Sequence, residues 1–178
     1  MVNYDRVLLD LGTGDGRYVR ILADKHPDWF VIGIDACREN LREYSQSKSQ
    51  NTLFLIATAQ NLPKELNGLI SHITINFPWG SLLESLLDGD PLLLHGLEMI
   101  LNSAASIDVR LNAGALEEAG TKLEVGVEKI YNNLLQAGWH VKPPVTMDTN
   151  ALQNFPSTWA KRLAFGRDPR AMLLTARR

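Results

Sequence analysis

One cysteine, Cys37, is the whole thiol content of this 178-residue chain, so no internal disulfide can form. Its position behind an apolar run reads as a small apolar side chain closing a strand. Histidine is scarce too: His26, His72, His95 and His140 stand apart without a second ligand at metal-site spacing, and no metal is expected. No apolar stretch reaches the ~20 residues of a membrane-spanning helix. The start MVNYDRVLLD lacks the basic end, apolar middle and small-residue cleavage site of a secretion signal, so a cytoplasmic protein without a membrane partner is expected. A large charge of one sign is also missing. The net charge of −2 argues against a generally basic nucleic-acid binder. The imbalance is local instead, because the last 18 residues carry Lys161, Arg162, Arg167, Arg170, Arg177 and Arg178 against Asp168 alone. By charge alone this basic end is as much a solubilising tail as an anion-binding surface.

With 45% hydrophobic and 21% charged residues, the chain is the size of one ordinary domain, and a single domain over 1–178 is expected. Residues 6–11 form a short apolar run ending in glycines, as in a buried parallel strand whose carboxyl end opens into a ligand loop. Tyr18, Ile21 and Leu22 follow at helical spacing, and 29–34 make a second apolar run ending at Asp35. Residues 38 to about 47 read as a second helix, 52–57 as a third strand and 71–77 as a fourth. A mostly helical stretch over 80–101, interrupted around 89–91, precedes a fifth strand at 106–111. A helix at 123–137 ends at Gly138, and strands follow at 139–145 and 171–176. This alternation predicts an α/β fold: a doubly wound, mainly parallel sheet of about seven strands, with ligands at the carboxyl ends of the strands. Trp29 and Trp139 fall in predicted strands and read as core. The connection 147–170 is longer than compact domains ordinarily carry without a functional reason, and it holds Trp159 and most of the basic cluster.

Gly12, Gly14 and Gly16 lie between the first strand and its helix, where the backbone must turn sharply and admit a ligand closely. The dinucleotide spacing GxGxxG counted from Gly12 would need glycine at 17, where Arg17 stands; the spacing GxGxG resembles S-adenosylmethionine sites instead. Asp10 is placed to meet the cationic methionine end of such a cofactor, whereas Asp10 and Asp15 together would repel a pyrophosphate. Asp35 closes the second strand where a carboxylate can accept both ribose hydroxyls. Thr58, Ala59 and Gln60 follow the third strand where such sites hold the adenine ring. Gln60 either hydrogen-bonds the ring edge or is an exposed polar residue opening a helix.

Behind the fourth strand come Asn76, Phe77, Pro78, Trp79 and Gly80, at the edge of the sheet where a substrate would enter. Trp79 offers a flat face for stacking a base, worth ~1 to 3 kcal/mol, and Pro78 fixes a neighbouring carbonyl as an acceptor for an exocyclic amine. Read alone, Phe77 and Trp79 are more simply caps on the core, and it is their position that points to a substrate. Trp159, followed by Lys161, Arg162, Arg167 and Arg170, joins an aromatic face to phosphate-binding cations, and two such faces can sandwich one base.

With DLGTGDGR, GIDACRENL, LIATAQNLP, INFPWGSLL and STWAKRLAFGR in order, the chain resembles the aminoglycoside-resistance 16S rRNA (adenine-1408) N1-methyltransferases of the KamB and NpmA type. The pairing of FPWGSLL with STWAKRLAFGR carries the resemblance, since the glycine loop is shared by many methyltransferases. The resemblance implies a Rossmann-like class I S-adenosylmethionine-dependent fold with the last strand antiparallel. It also implies a flipped adenine between Trp79 and Trp159, with Ser157 near the cofactor. Lys161, Arg162, Arg167 and Arg170 would then contact 16S rRNA of the 30S subunit, and a monomer is expected. The family's longer, lysine-rich linker before the third strand is reduced here to Lys48, and the chain begins five residues before its first strand. Two other readings stay open at this stage: methylation of an adenine N6 amine on another RNA, because NFPW also resembles the NPPW-like motif of amino-methyltransferases, and a cofactor-binding relic with little or no activity.

Overall fold

The computed structural model describes residues 4–41, 49–166 and 168–178. Among the described residues, eight strands form one sheet: β1 (Arg6–Leu11), β2 (Trp29–Asp35), β3 (Thr52–Ile56), β4 (Ile70–Asn76), β5 (Leu101–Asn112), β6 (His140–Val141), β7 (Val145–Met147) and β8 (Ala171–Arg177). Their order is β3-β2-β1-β4-β5-β8-β6, with β7 also on β8. The first five are parallel, and β8 runs antiparallel to β5 from Asn112↔Ala171 to Ser106↔Arg177. The fold is thus the expected doubly wound, mainly parallel α/β sheet with its last strand reversed. It has eight strands rather than seven because the predicted strand at 139–145 is split: Pro143 and Pro144 have no N–H to donate to a ladder. Trp139 is buried as expected but precedes β6, and Trp29 in β2 is only partly buried.

The central strands alternate little because both faces are covered, and Leu9, Ile34, Ile73, Ile75, Ile107 and Val109 are completely buried. Helices α1 (Arg17–Lys25), α2 (Gly80–Asp88), α3 (Pro91–Ile100), α4 (Ala113–Glu118) and α5 (Leu123–Gln136) connect the strands. The break between α2 and α3 falls where expected: Gly89 ends one at φ 64°, and the Asp90 side chain caps the next by accepting from Leu92 N–H, with Pro91 in its first turn. The helix predicted from 38 does not begin there, since 38–41 form turns; the remainder of that prediction lies outside the described residues.

The connection at 147–170 is structured rather than an open loop. It folds into α6 (Thr149–Asn154) and α7 (Thr158–Gly166). Asp148 accepts from Ala151 N–H to cap α6, and Ser157 Oγ accepts from Ala160 N–H at 3.1 Å in the first turn of α7. Leu152, Ala160 and Leu163 pack with Phe77 and Ala171 into a small core of their own. This packing sets the Trp159-bearing helix over the carboxyl edge of the sheet.

Candidate active site

β1 brings Asp10 to the carboxyl edge of the sheet, and the chain then turns through Gly12, Gly14 and Gly16 at φ 75°, 60° and 74°. A Cβ at Gly12 would lie 2.7 Å from Leu82 Cδ2, whereas one at Gly14 would meet nothing within 4 Å and would enter the cleft. Gly14 N–H donates to Asp35 Oδ2 at 2.8 Å, and Asp35 Oδ1 accepts from Cys37 N–H and Asn40 Nδ2 at 2.9 and 3.1 Å. Asp35 thereby fastens the loop to the end of β2, and Oδ2, with one bond made, keeps acceptor capacity for a hydroxyl. Cys37 does not close the strand as a buried apolar residue. It lies exposed beyond β2, its Sγ donating to Glu39 Oε2 at 3.3 Å.

Asp10 is buried, and its Oδ1 accepts from Thr74 Oγ1 at 2.7 Å and Asn76 Nδ2 at 2.8 Å. Burial pushes its carboxyl up to about 6, although those two hydrogen bonds and the Arg110 charge pull the other way. A desolvated carboxylate lining a cleft fits a cationic ammonium, whose charge would offset that burial. The glycine cradle and the acceptor on Asp35 fit the nucleoside half of S-adenosylmethionine.

The cleft measures about 930 Å³, within the range of small-molecule sites, and is lined by the glycine loop, Asp35, Thr58 to Gln60, Asn76 to Trp79, Ser157, Trp159 and Arg162. Every residue read as cofactor-binding in the sequence therefore meets it except Gly16, which is buried behind the loop, where a Cβ would strike Phe54. Gln60 opens no helix; it sits in a turn, its Nε2 donating to Ser85 Oγ at 2.7 Å. Phe77 adopts φ 53°, the described non-glycine residue with positive φ, and is buried while Trp79 remains 38% exposed. This kink buries Phe77 and turns Trp79 outward.

Trp79 and Trp159 meet at the cleft, but their rings are perpendicular, with centroids 5.6 Å apart at 89°. The expected sandwich is therefore closed edge to face. Trp79 Nε1 is also tethered to Glu118 Oε1 at 3.2 Å. Of the expected RNA-contacting cations, Lys161 and Arg162 are exposed on α7, with the Arg162 guanidinium 5.8 Å from the Trp159 ring centroid. Arg170 is engaged by Asp168 and Glu117, and Arg167 lies outside the described residues. Two links escaped the sequence reading. Thr158 Oγ1 donates to Asp15 Oδ2 at 2.6 Å, joining the glycine loop to α7, and Arg110 Nη1 donates to Asn76 Oδ1 at 3.0 Å. Asp108 and Arg110, two charges in the buried run IDVRL, were the available signal for the second.

A parallel sheet in this order with β8 reversed, a GxGxG turn and acids ending β1 and β2 define a Rossmann-like, class I S-adenosylmethionine-dependent methyltransferase. The chain belongs to the 16S rRNA (adenine(1408)-N(1))-methyltransferase family, whose model matches residues 1–178. It is 36% identical to the 16S rRNA (adenine(1408)-N(1))-methyltransferase of Escherichia coli, over 92% of this chain and 83% of the relative. The crystal structure of the 16S rRNA methyltransferase KamB superposes with a TM-score of 0.85 at 29% identity, covering 98% of this chain and 88% of that one. The aminoglycoside resistance methyltransferase NpmB1 gives 0.78 at 29% identity, covering 98% and 88%.

Proposed function

We propose that the protein methylates N1 of adenine 1408 in 16S rRNA of the 30S subunit, and that this modification confers aminoglycoside resistance. The observation that carries the reading is the pair Trp79 and Trp159 meeting over the cleft that Asp10, Asp35 and the glycine loop line. S-adenosylmethionine, held by these residues with its adenine beside Thr58, Ala59 and Gln60, supplies an electrophilic methyl group. Adenine N1 carries an in-plane lone pair and needs no base before attack, so the protein's work is alignment and exclusion of water. The flipped base enters by replacing the edge contact of the two indoles, whose faces then stabilise the positive charge developing on it. Ser157 lines the cleft beside Trp159, and the buried Pro78 holds the backbone carbonyl that faces the base's amino group. Lys161 and Arg162 on α7, with Arg167 and Arg170, meet the phosphates. The family match supports the N1 reading over the N6-amine alternative.

The protein acts as a single-domain monomer in the cytoplasm, where ribosomal subunits are found. Among the described residues, no helix is long and apolar enough to cross a membrane. Incubation with radiolabelled cofactor and purified 30S subunits, 50S subunits or tRNA, followed by primer extension, tests the assignment. The expected result is label in 30S subunits alone with a reverse-transcription stop at adenine 1408. Label without a stop would indicate N6, and no label in any RNA would overturn the reading.

A further inference from the structure

One face of the sheet carries a polar row that runs from Asp10 into side chains the reaction outlined above does not use. Register places Asp10 beside Thr74, Thr74 beside Asp108 and Asp108 beside Thr175, across β1, β4, β5 and β8. One step nearer the carboxyl edge, Asn76 stands beside Arg110. Side-chain hydrogen bonds tie the row together. Thr74 Oγ1 donates to Asp10, Thr175 Oγ1 donates to Asp108 at 2.8 Å, and Arg110 Nη2 donates to Asp108 Oδ2 at 3.2 Å. The second guanidinium nitrogen, Nη1, donates to Asn76 Oδ1.

That last contact decides which way the Asn76 amide points. A carboxamide has one acceptor and one donor end, and a guanidinium offers donors only. With Arg110 on Oδ1, the Nδ2 end must turn away, and it donates to Asp10 Oδ1 at 2.8 Å. Arg110 is itself held on three sides. Asp108 takes Nη2, the Phe155 ring lies 4.8 Å from the guanidinium carbon, and the Arg110 carbonyl accepts from the N–H of the kinked Phe77 at 2.8 Å. Phe155 stacks in turn on Tyr18 at 5.1 Å, and it precedes Ser157 and Trp159 in the chain.

We infer that Arg110 is a positioning residue: by locking the Asn76 carboxamide it holds Asp10 as an acceptor aimed at the ammonium of the cofactor, and under Phe155 it ties that aim to the segment bearing Trp159. The inference rests on the reading of Asp10 as the cofactor's acidic anchor. Around Asp10 stand Tyr18 of α1, Asp108 and Arg110 of β5, and the cleft carboxylates Asp15 and Asp35, with His72 of β4 facing Asp108. Burial pushes Tyr18 up to about 12 and His72 below the ordinary range, so both are neutral near pH 7. Removing the Arg110 charge leaves burial of Asp10 less opposed, and its carboxyl then titrates closer to neutrality.

The test is calorimetric titration of the full chain with S-adenosylmethionine from pH 5.5 to 8.5, comparing wild type with Arg110→Met, Arg110→Lys, Asn76→Leu and Asp10→Asn. Arg110→Met is expected to weaken binding at pH 7 by about tenfold and to move the pH midpoint of binding up by about one unit. Arg110→Lys restores most of the midpoint. Asn76→Leu shifts affinity and midpoint in the same direction while keeping the Arg110–Asp108 pair, and it serves if Arg110→Met fails to fold. A wild-type midpoint in Arg110→Met or Asn76→Leu, with or without a pH-independent loss of affinity, overturns the inference. Unchanged affinity in Asp10→Asn would instead overturn the reading of Asp10 itself.

Discussion

A carboxylate buried as deeply as Asp10 carries a cost that depends on pH. Its folded-state value of about 6 lies above the unfolded 3.8, so its contribution to stability is present below pH 3.8 and is lost as pH rises through 6. The penalty at pH 8 amounts to about 2 to 3 kcal/mol. Asp10→Asn is therefore expected to stabilise the cofactor-free protein at pH 8 by that amount and to change it little at pH 4, as read by urea unfolding at both. The same variant is expected to bind S-adenosylmethionine more weakly. At the tryptophans, Trp79→Ala and Trp159→Ala should abolish methyl transfer while leaving cofactor affinity within about twofold, the latter measured by calorimetry. Loss of cofactor binding in both would make them core residues. The acids and glycines that line the cleft were legible because they fall within one continuous strand-turn-helix-strand segment, from Asp10 to Asp35. The Asn76–Arg110 contact was not, because it joins residues brought together only by the β4–β5 register.

The long connection behaves as a built element. Two short helices pack on Phe77 and Ala171, and the hydrogen bond from Thr158 to Asp15 pins the start of α7 to the glycine loop. A hydrogen bond to a charged acceptor is worth about 1.5 to 3 kcal/mol, so Thr158→Val should loosen this helix. We expect faster limited proteolysis within 149–166 and a raised KM for 30S subunits, with cofactor affinity held near wild type. Equal KM and equal cleavage would show that the contact carries no load. In the sequence this stretch read only as an overlong connection, because the six residues of α6 have too few turns to show a periodicity and the basic cluster drew the reading of α7. Its caps, Asp148 and Ser157, were the residual signal. The split of the predicted strand at 139–145 was similarly written in the adjacent prolines but outweighed by the apolar residues around them.

For the molecule as a whole, the mainly parallel sheet followed from simple alternation, since parallel neighbours require crossovers and crossovers require helices, whereas the order β3-β2-β1-β4-β5-β8-β6 came from the structure. The closed state of the tryptophan pair was not readable, because local sequence does not fix the angle between two rings carried by segments 80 residues apart. The charge distribution gives a molecular prediction. An acidic body with a basic end should bind 30S subunits in a strongly salt-dependent way, each phosphate contact adding about −0.7 to −0.9 to the slope of log K against log[salt]. Replacing Lys161 and Arg162 together by alanine should reduce that slope by about two contacts' worth in filter binding across a potassium chloride series. An unchanged slope would place the RNA on another face. The paired prolines at 143 and 144 bear on the molecule's company as well as its fold. They divide the strand on the outer edge into ladders of two and three residues and interrupt the row of donors that an incoming chain would need. At high concentration this border of the sheet resists templating a neighbour's strand, which disfavours polymerisation through this edge.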